Sequence, residues 1–381
     1  MKPTVSTENT KEVFEELITK NHRENDIYFQ VNAHSHTVHL ICSLYKLGAS
    51  EERLRTMYEA VTKCLEPLSK PKHSVDEKNY FQFVGVVPAY RDLLDFFEQQ
   101  IGEAGFDKVF AKYVPRLLPG IGGEAAHPLI HLGYAVEFHN DLILSEALAL
   151  CVIGYDRTGE LIDQEFSESA YKDPVTIIEE MSRDVRFKDL EKDPYKEEVM
   201  IIPYYEYTKE HYKAWDSSIK NKSLDDKVRE LSHGIVFLFL GHNHELRLDI
   251  LLCHALTGLH AGRILLPLLS ESDQVRILRL LWWTALTLFA SVGRPLPRWD
   301  NLTNYPLPEV KNFWEETSAA AIEDGDTFAH AIKCVRTLKE LANKYPQDEE
   351  MWRHGSWKVL DLIKSPDDWG HRLGLEPRQS N

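Results

Sequence analysis

The sequence predicts a large all-α fold: one helical domain over residues 1–381, a metal site in its core, and minor or no strand content. Three observations predict it. Apolar residues recur with the helical period over most of the chain. Few segments alternate with period two, and no repeat or low-complexity stretch breaks the pattern. The 17 histidines include a subset inside apolar, helix-reading segments far apart in sequence. Imidazole is costly to bury without a partner and is the commonest protein ligand for iron, zinc and copper. Four helices that each offer one inward histidine are a way to build a metal centre in a helical core.

Composition bounds the function. A hydrophobic content of 43% is ample for a large core, and a formal net charge of −16 argues against nucleic acid and anionic membranes. It leaves room for a small apolar ligand. Five cysteines, Cys42, Cys64, Cys151, Cys253 and Cys334, are odd in number and widely spaced. They read as a reduced, intracellular protein, with a cytoplasmic location expected. The N-terminal stretch has no apolar h-region. The apolar run Leu280 to Val292 is too short to span a bilayer and reads as a buried core helix.

The elements follow in order. A helix is expected from His34 to Leu47, stopped by Gly48, with Ser50 capping the next. Asp92 to Gln100 reads as amphipathic helix. Tyr113 to Gly123, with two prolines and three glycines, reads as a loop, and Pro128 suits the first turn of a helix carrying His131, Tyr134 and Phe138. Residues 156 to 230 are charged and carry the aromatics Tyr204, Tyr205, Tyr207, Tyr212 and Trp215. They read as an excursion packed on the main body. Apolar periodicity returns from Lys227 to about Val292, Gly293 to Pro308 is loop, and a last helical set spans about Val310 to Leu341. The tail after Pro346, with Trp352, Trp357 and Trp369, is too aromatic for simple disorder.

Several spacings carry chemistry. His36 and His39 are three apart, so on a helix they share a face while His34 points elsewhere. His131 lies among Leu129, Ile130, Leu132 and Tyr134, whereas His127 precedes Pro128 and reads as closing the loop. His254 is apolar on every side, and Thr257, Gly258 and Ala261 form a small-residue stripe leaving space for a ligand or a close helix. His330 and Lys333 share a face. A lysine ligates a metal only after losing its proton, and a neutral lysine can take up carbon dioxide as a carbamate. The glycines of Gly120 to His127 lack the spacing of a phosphate loop, no serine-hydrolase elbow occurs, and Gly241 to Glu245, with two histidines, reads as a surface turn.

HSHTVHLICSLYKLGAS (34–50) is similar to a stretch of the questin oxidase-like family, and LLPGIGGEAAHPLIHLGYAVEF (117–138) resembles that family's G-G-x-x-H-P-x-I-H-x-G-Y-x-x-E-F stretch. The segments around His254 and His330 resemble it too. One departure is Ser35, where the family has Asn. The resemblance implies oxidative, Baeyer–Villiger-type opening of anthraquinone rings without a flavin. It also implies a non-haem iron centre, Fe(II) held by histidines with a modified, carboxylated lysine. Carried over by position, the candidate ligands are His36 or His39, His131, His254, His330 and Lys333.

The reading is therefore an oxygenase whose partners are an aromatic substrate and dioxygen, with NADPH a candidate reductant. His254, Lys333 and Tyr134 are its candidate catalytic residues, and Tyr134 and the excursion's aromatics are candidates to line the substrate pocket. A zinc hydrolase on the same ligands and a non-catalytic helical scaffold are the rivals.

Overall fold

The computed structural model describes residues 8–29, 33–164, 172–190, 203–215, 217, 222–242, 248–324, 329–364 and 368–369. Helices α1 (Glu8–Glu24), α2 (Thr37–Leu47), α3 (Glu51–Thr62), α4 (Tyr90–Ala104) and α5 (Phe106–Leu117) form the N-terminal part. The middle holds α6 (Gly123–Phe138), α7 (Asp141–Ile153), α8 (Pro174–Arg183), α9 (Pro203–Lys213) and α10 (Leu224–Leu240). Then come α11 (Ile250–Leu265), α12 (Glu271–Ser291), α13 (Asp300–Thr303), α14 (Phe313–Asp324), α15 (His330–Lys344) and α16 (Glu349–Leu362). Among the described residues the only sheet is an antiparallel pair, β1 (Tyr28–Phe29) and β2 (Ala33–His34), with Tyr28 opposite His34. The fold class is all-α, as the periodicity predicts.

Polar N-caps start several helices, Ser50 among them as expected. The Ser50 side chain accepts from the Arg53 N–H, Asn140 from Leu142 and Ile143, and Asp249 from Leu251 and Leu252. Each satisfies donors that the first helical turn would leave bare.

α7 and α11 are buried along most of their length and run through the centre. α11 packs on α6, α10, α12 and α15. The small-residue stripe has a definite use here: it admits a helix. A Cβ built on Gly133 of α6 would lie 2.5 Å from the Ala261 Cβ, and one on Gly258 would lie 3.3 Å from the Ala126 Cβ. α6 and α11 therefore approach closely and bring their histidines together. By composition the stretch Ile250–Leu268 is apolar enough to cross a membrane, but 72% of it is buried inside this fold.

Some expectations need correction. The 113–123 stretch is not all loop: α5 runs through Pro115 to Leu117, then a 3₁₀ turn spans Leu118–Gly120. The buried stripe Phe106, Val109, Phe110, Tyr113, Val114 and Leu117 outweighs the one bond a proline removes. α2 begins at Thr37, because His34 belongs to β2. The 293–308 loop contains the single turn α13. Within the excursion α8 packs on α10 and α9 on α12. Gly241 and His242 are buried, and the rest of that predicted surface turn lies outside the described residues. No disulfide joins the five cysteines.

Candidate metal centre

Four imidazoles from four separate parts of the chain close into a square. Neighbouring ring centres lie 5.0 Å apart for His36 and His127, and 4.7 Å for His127 and His254. They lie 4.9 Å apart for His254 and His330, and 4.6 Å for His330 and His36. The His36–His254 diagonal is 6.4 Å. Half of it suits two imidazoles sharing an ion, with a metal–nitrogen bond of roughly 2.1 Å plus about 1.1 Å from nitrogen to ring centre. One ring nitrogen from each of His36, His254 and His330 lies within 4.8 Å of the other two, and among the described residues no carboxylate joins that group.

Local structure aims each ring. His36 is the N-cap of α2, delivered by the hairpin before it. His127 follows three successive left-handed residues, Glu124, Ala125 and Ala126, with φ of 49°, 54° and 65°. That turn reverses the chain before the α-helix proper begins at Pro128. His330 also follows a left-handed alanine, Ala329, with φ 67°. Non-glycine residues held this way cost of order 1 kcal/mol or more each, and such strain clusters at functional sites. His254 comes from the middle of α11.

Hydrogen bonds set the tautomers. His127 Nδ1 donates to the Glu124 carbonyl oxygen, and His127 Nε2 lies 3.0 Å from His36 Nε2. A neutral His127 protonated at Nδ1 can only accept at Nε2, so the proton between the rings belongs to His36. The His36 Nδ1 lone pair is then left over, and that atom is buried without a hydrogen-bond partner among the described residues. His254 Nδ1 donates to the Ile250 carbonyl at 2.7 Å, leaving a buried, unpartnered Nε2. Metal-ligating histidines are commonly oriented by such bonds from the other ring nitrogen.

Electrostatics favours neutral rings. Burial, with the positive charge of Lys333 adding to it, holds His36, His39, His254 and His330 well below the usual histidine range, His254 at about 3. For His127 burial comes first, then His34, His254 and Lys333. Neutral imidazole is the form that offers a lone pair to a cation.

The structure sorts the candidates into layers. His36, His254 and His330 meet in the square, with buried Lys333 one turn beyond His330. His39 stands behind His36, its ring centre 5.7 Å away, and stacks on Tyr134 at 5.1 Å. His131 is next to His39, at 5.2 Å, and bonds Glu146 Oε2 at 3.0 Å. Glu146 Oε1 in turn meets His22 Nδ1 at 2.8 Å, and His22 Nε2 meets the half-exposed Glu98 at 2.6 Å. His34 corrects its reading: it stacks on His127 at 4.2 Å and bonds Glu124 Oε2 at 2.7 Å. His127 corrects its reading as well. Periodicity cannot show the left-handed turn that carries its ring inward.

Cavities adjoin this cluster. One of about 360 Å³ lies beyond Glu124 and Ala125 and is lined also by Trp283, Thr284 and, from the excursion, Tyr205 and Thr208. A smaller one, about 140 Å³, reaches His36 from the side of Val61 and Leu65. Tyr134 lines neither. Its hydroxyl is 2.6 Å from Ser43 Oγ, because α6 turns that face toward α2.

Comparison with known proteins agrees with the geometry in its span. The family described as questin oxidase-like matches residues 33–338, which hold all four rings and Lys333. A Baeyer–Villiger oxidase of Pestalotiopsis microspora is 24% identical, covering 98% of this chain and 94% of its own. A Baeyer–Villiger monooxygenase of a Cryptosporiopsis species is 25% identical, covering 88% of this chain and 85% of its own. The questin oxidase of Aspergillus terreus is 25% identical over 38% of this chain.

Proposed function

The chain belongs to the questin oxidase-like family and is an oxidoreductase of that type, and from this premise we propose that it is a non-haem iron oxygenase. Its reaction, on this reading, is the dioxygen-dependent, Baeyer–Villiger-type opening of a ring in an aromatic polyketide such as an anthraquinone. The observation that carries the metal assignment is the square of His36, His127, His254 and His330, in which His36 Nδ1, His254 Nε2 and His330 Nδ1 are buried without a hydrogen-bond partner among the described residues. His36, His127, His254 and His330 would hold the iron, and a bound iron would supply activation of dioxygen.

The chain's own residues do the rest. The Ile250 carbonyl fixes the His254 tautomer so that its Nε2 lone pair is presented before any ion arrives, and the Glu124 carbonyl fixes His127 so that its Nε2 accepts from His36 and would turn to an ion only when that bond is given up. His127, His254 and His330 are buried, and His36 is half-buried at the edge of the smaller cavity. Four neutral imidazoles leave a divalent cation uncompensated, and among the described residues no carboxylate stands in the group. Lys333, buried one helical turn beyond His330, would supply the missing anion. As a neutral amine it adds carbon dioxide, releases a proton and becomes a carbamate whose oxygen can ligate.

The test is metal analysis with oxygen uptake. Purified protein should hold close to one iron per chain and consume dioxygen with a hydroxyanthraquinone. His127→Ala and His254→Ala should each lose most of that iron, while His131→Ala should keep most of it. Lys333→Arg should be inactive, because guanidinium stays protonated. Zinc at full occupancy with no iron-dependent turnover would overturn the proposal.

A further inference from the structure

We infer that the cavity between the 122–125 turn, α9 and α12 is the binding site for a neutral, flat, hydroxylated ring system, and that Glu124 selects a free hydroxyl at the end nearest the histidines. The inference rests on the oxygenase reading for what happens to that ring, but not for its binding.

Size selects this cavity. Its volume of about 360 Å³ falls within the range of small-molecule sites, and the space beside His36 at about 140 Å³ falls short of it. One wall is a fixed aromatic plane. The Trp283 indole N–H donates to Thr158 Oγ1 at 3.2 Å, and Tyr205 and Tyr212 meet the ring edge-on at 5.4 Å and 5.5 Å. A rigid indole flanked by small residues, Ala125, Ala290 and the backbone of Gly122 and Gly123, suits a flat ligand.

Charge selects the ligand class. Two carboxylates line the cavity, Glu124 and Asp156, and none of its lining residues is Lys, Arg or His. A phosphate-bearing cofactor, flavin or nicotinamide, would find repulsion there and no cation. Asp156 is already committed, accepting from Thr158 N–H at 2.8 Å and Oγ1 at 2.6 Å. Glu124 accepts from Tyr28 and contacts His34 on one flank, yet 29% of its side chain remains exposed. A carboxylate has about four acceptor sites, so it can take one more charge-assisted bond, from a phenolic O–H.

A second polar group waits for a partner. Thr208 Oγ1 is buried, with the residue 1% exposed, and has no hydrogen-bond partner among the described residues. Buried hydroxyls are seldom left unbonded. A quinone or ketone carbonyl would accept from it. A ligand O–H donating to Glu124 and a ligand carbonyl accepting from Thr208 together describe a hydroxylated aromatic ketone.

The experiment is calorimetric titration of metal-free protein with 1,8-dihydroxyanthraquinone and with its dimethyl ether. Wild type should bind the dihydroxy compound at least tenfold more tightly than the ether. Glu124→Gln should lose that preference. Ala290→Trp and Ser291→Trp, which fill the cavity, should weaken both ligands at least tenfold while iron uptake, measured separately, stays at the wild-type level. Should Ala290→Trp fail to fold, the half-buried Ser291 position decides. Wild-type affinity in the filled variant, no binding to wild type, or equal affinity for phenol and ether would each overturn the inference. Protein that binds the probe but takes no iron would remove the oxygenase reading and leave this site standing; protein that takes iron but not the probe would do the reverse.

Discussion

Glu146 is a carboxylate in a helix whose other buried residues are almost all apolar, and that isolation makes its pairing readable as energy. Burial alone would raise its pKa, but bonds from His131 and His22 outweigh burial and hold it at about 2, against an ordinary 4.5. His22 is correspondingly raised, because Glu146 and Glu98 overcome its own burial. A depressed carboxyl pKa contributes stability in full above the unfolded value, and that stability is lost as pH falls through the folded value. Wild type should therefore weaken between pH 4.5 and pH 2 partly through this residue. Glu146→Gln should cost about 3 kcal/mol at pH 7, as removal of one partner from a buried pair does. It should also flatten that acid limb, as read from urea midpoints at several pH values; an unchanged slope would mean the carboxylate is not paired. The residue was there to be found, one acid in LILSEALALCVI, whereas His254 was singled out by the same logic. His127 was not legible, since the proline after it looks like a loop closure and three left-handed residues leave no mark on periodicity.

At the scale of elements, helix identity was legible and helix approach was only half so. The small-residue stripe on α11 allowed a ligand or a close helix, and only packing decides between them. Gly133 shows what the decision costs. Alanine is the better helix former by about 1 kcal/mol. Yet its Cβ would stand 2.5 Å from the Ala261 Cβ and 2.7 Å from the Ala261 Cα, so backbone must move. Gly133→Ala should destabilise by roughly 1–3 kcal/mol despite its propensity. Because α6 and α11 carry His127 and His254, the variant should also bind iron more weakly. A melting temperature equal to or above wild type would show that the two helices have room to part. The ends of α2 and α5 were misjudged for a related reason. Caps and prolines mark where a helix can end, while the buried stripe of α5 and the hairpin before α2 determine where each does.

The whole molecule enters through sequence separation. The square draws on residues 36, 127, 254 and 330, from a cap on α2, the start of α6, the middle of α11 and the start of α15. No local segment holds more than one corner, so an ion bound there ties together parts of the chain that only the complete fold brings near. An unfolded chain offers no comparable site, and binding free energy becomes folding free energy. At free metal one hundred times the dissociation constant, the native state gains about 2.7 kcal/mol. A chelator should therefore lower the melting temperature of the iron-loaded protein as one cooperative transition, not as early loss of a single segment. His254→Ala should melt near the chelated wild type's temperature and respond no further to chelator. His131→Ala removes a ring behind the square, so it should be less stable from the outset yet keep a chelator response close to that of wild type. A chelator response that survives in His254→Ala would place the ion elsewhere, and one that vanishes in His131→Ala would move the centre back toward Glu146.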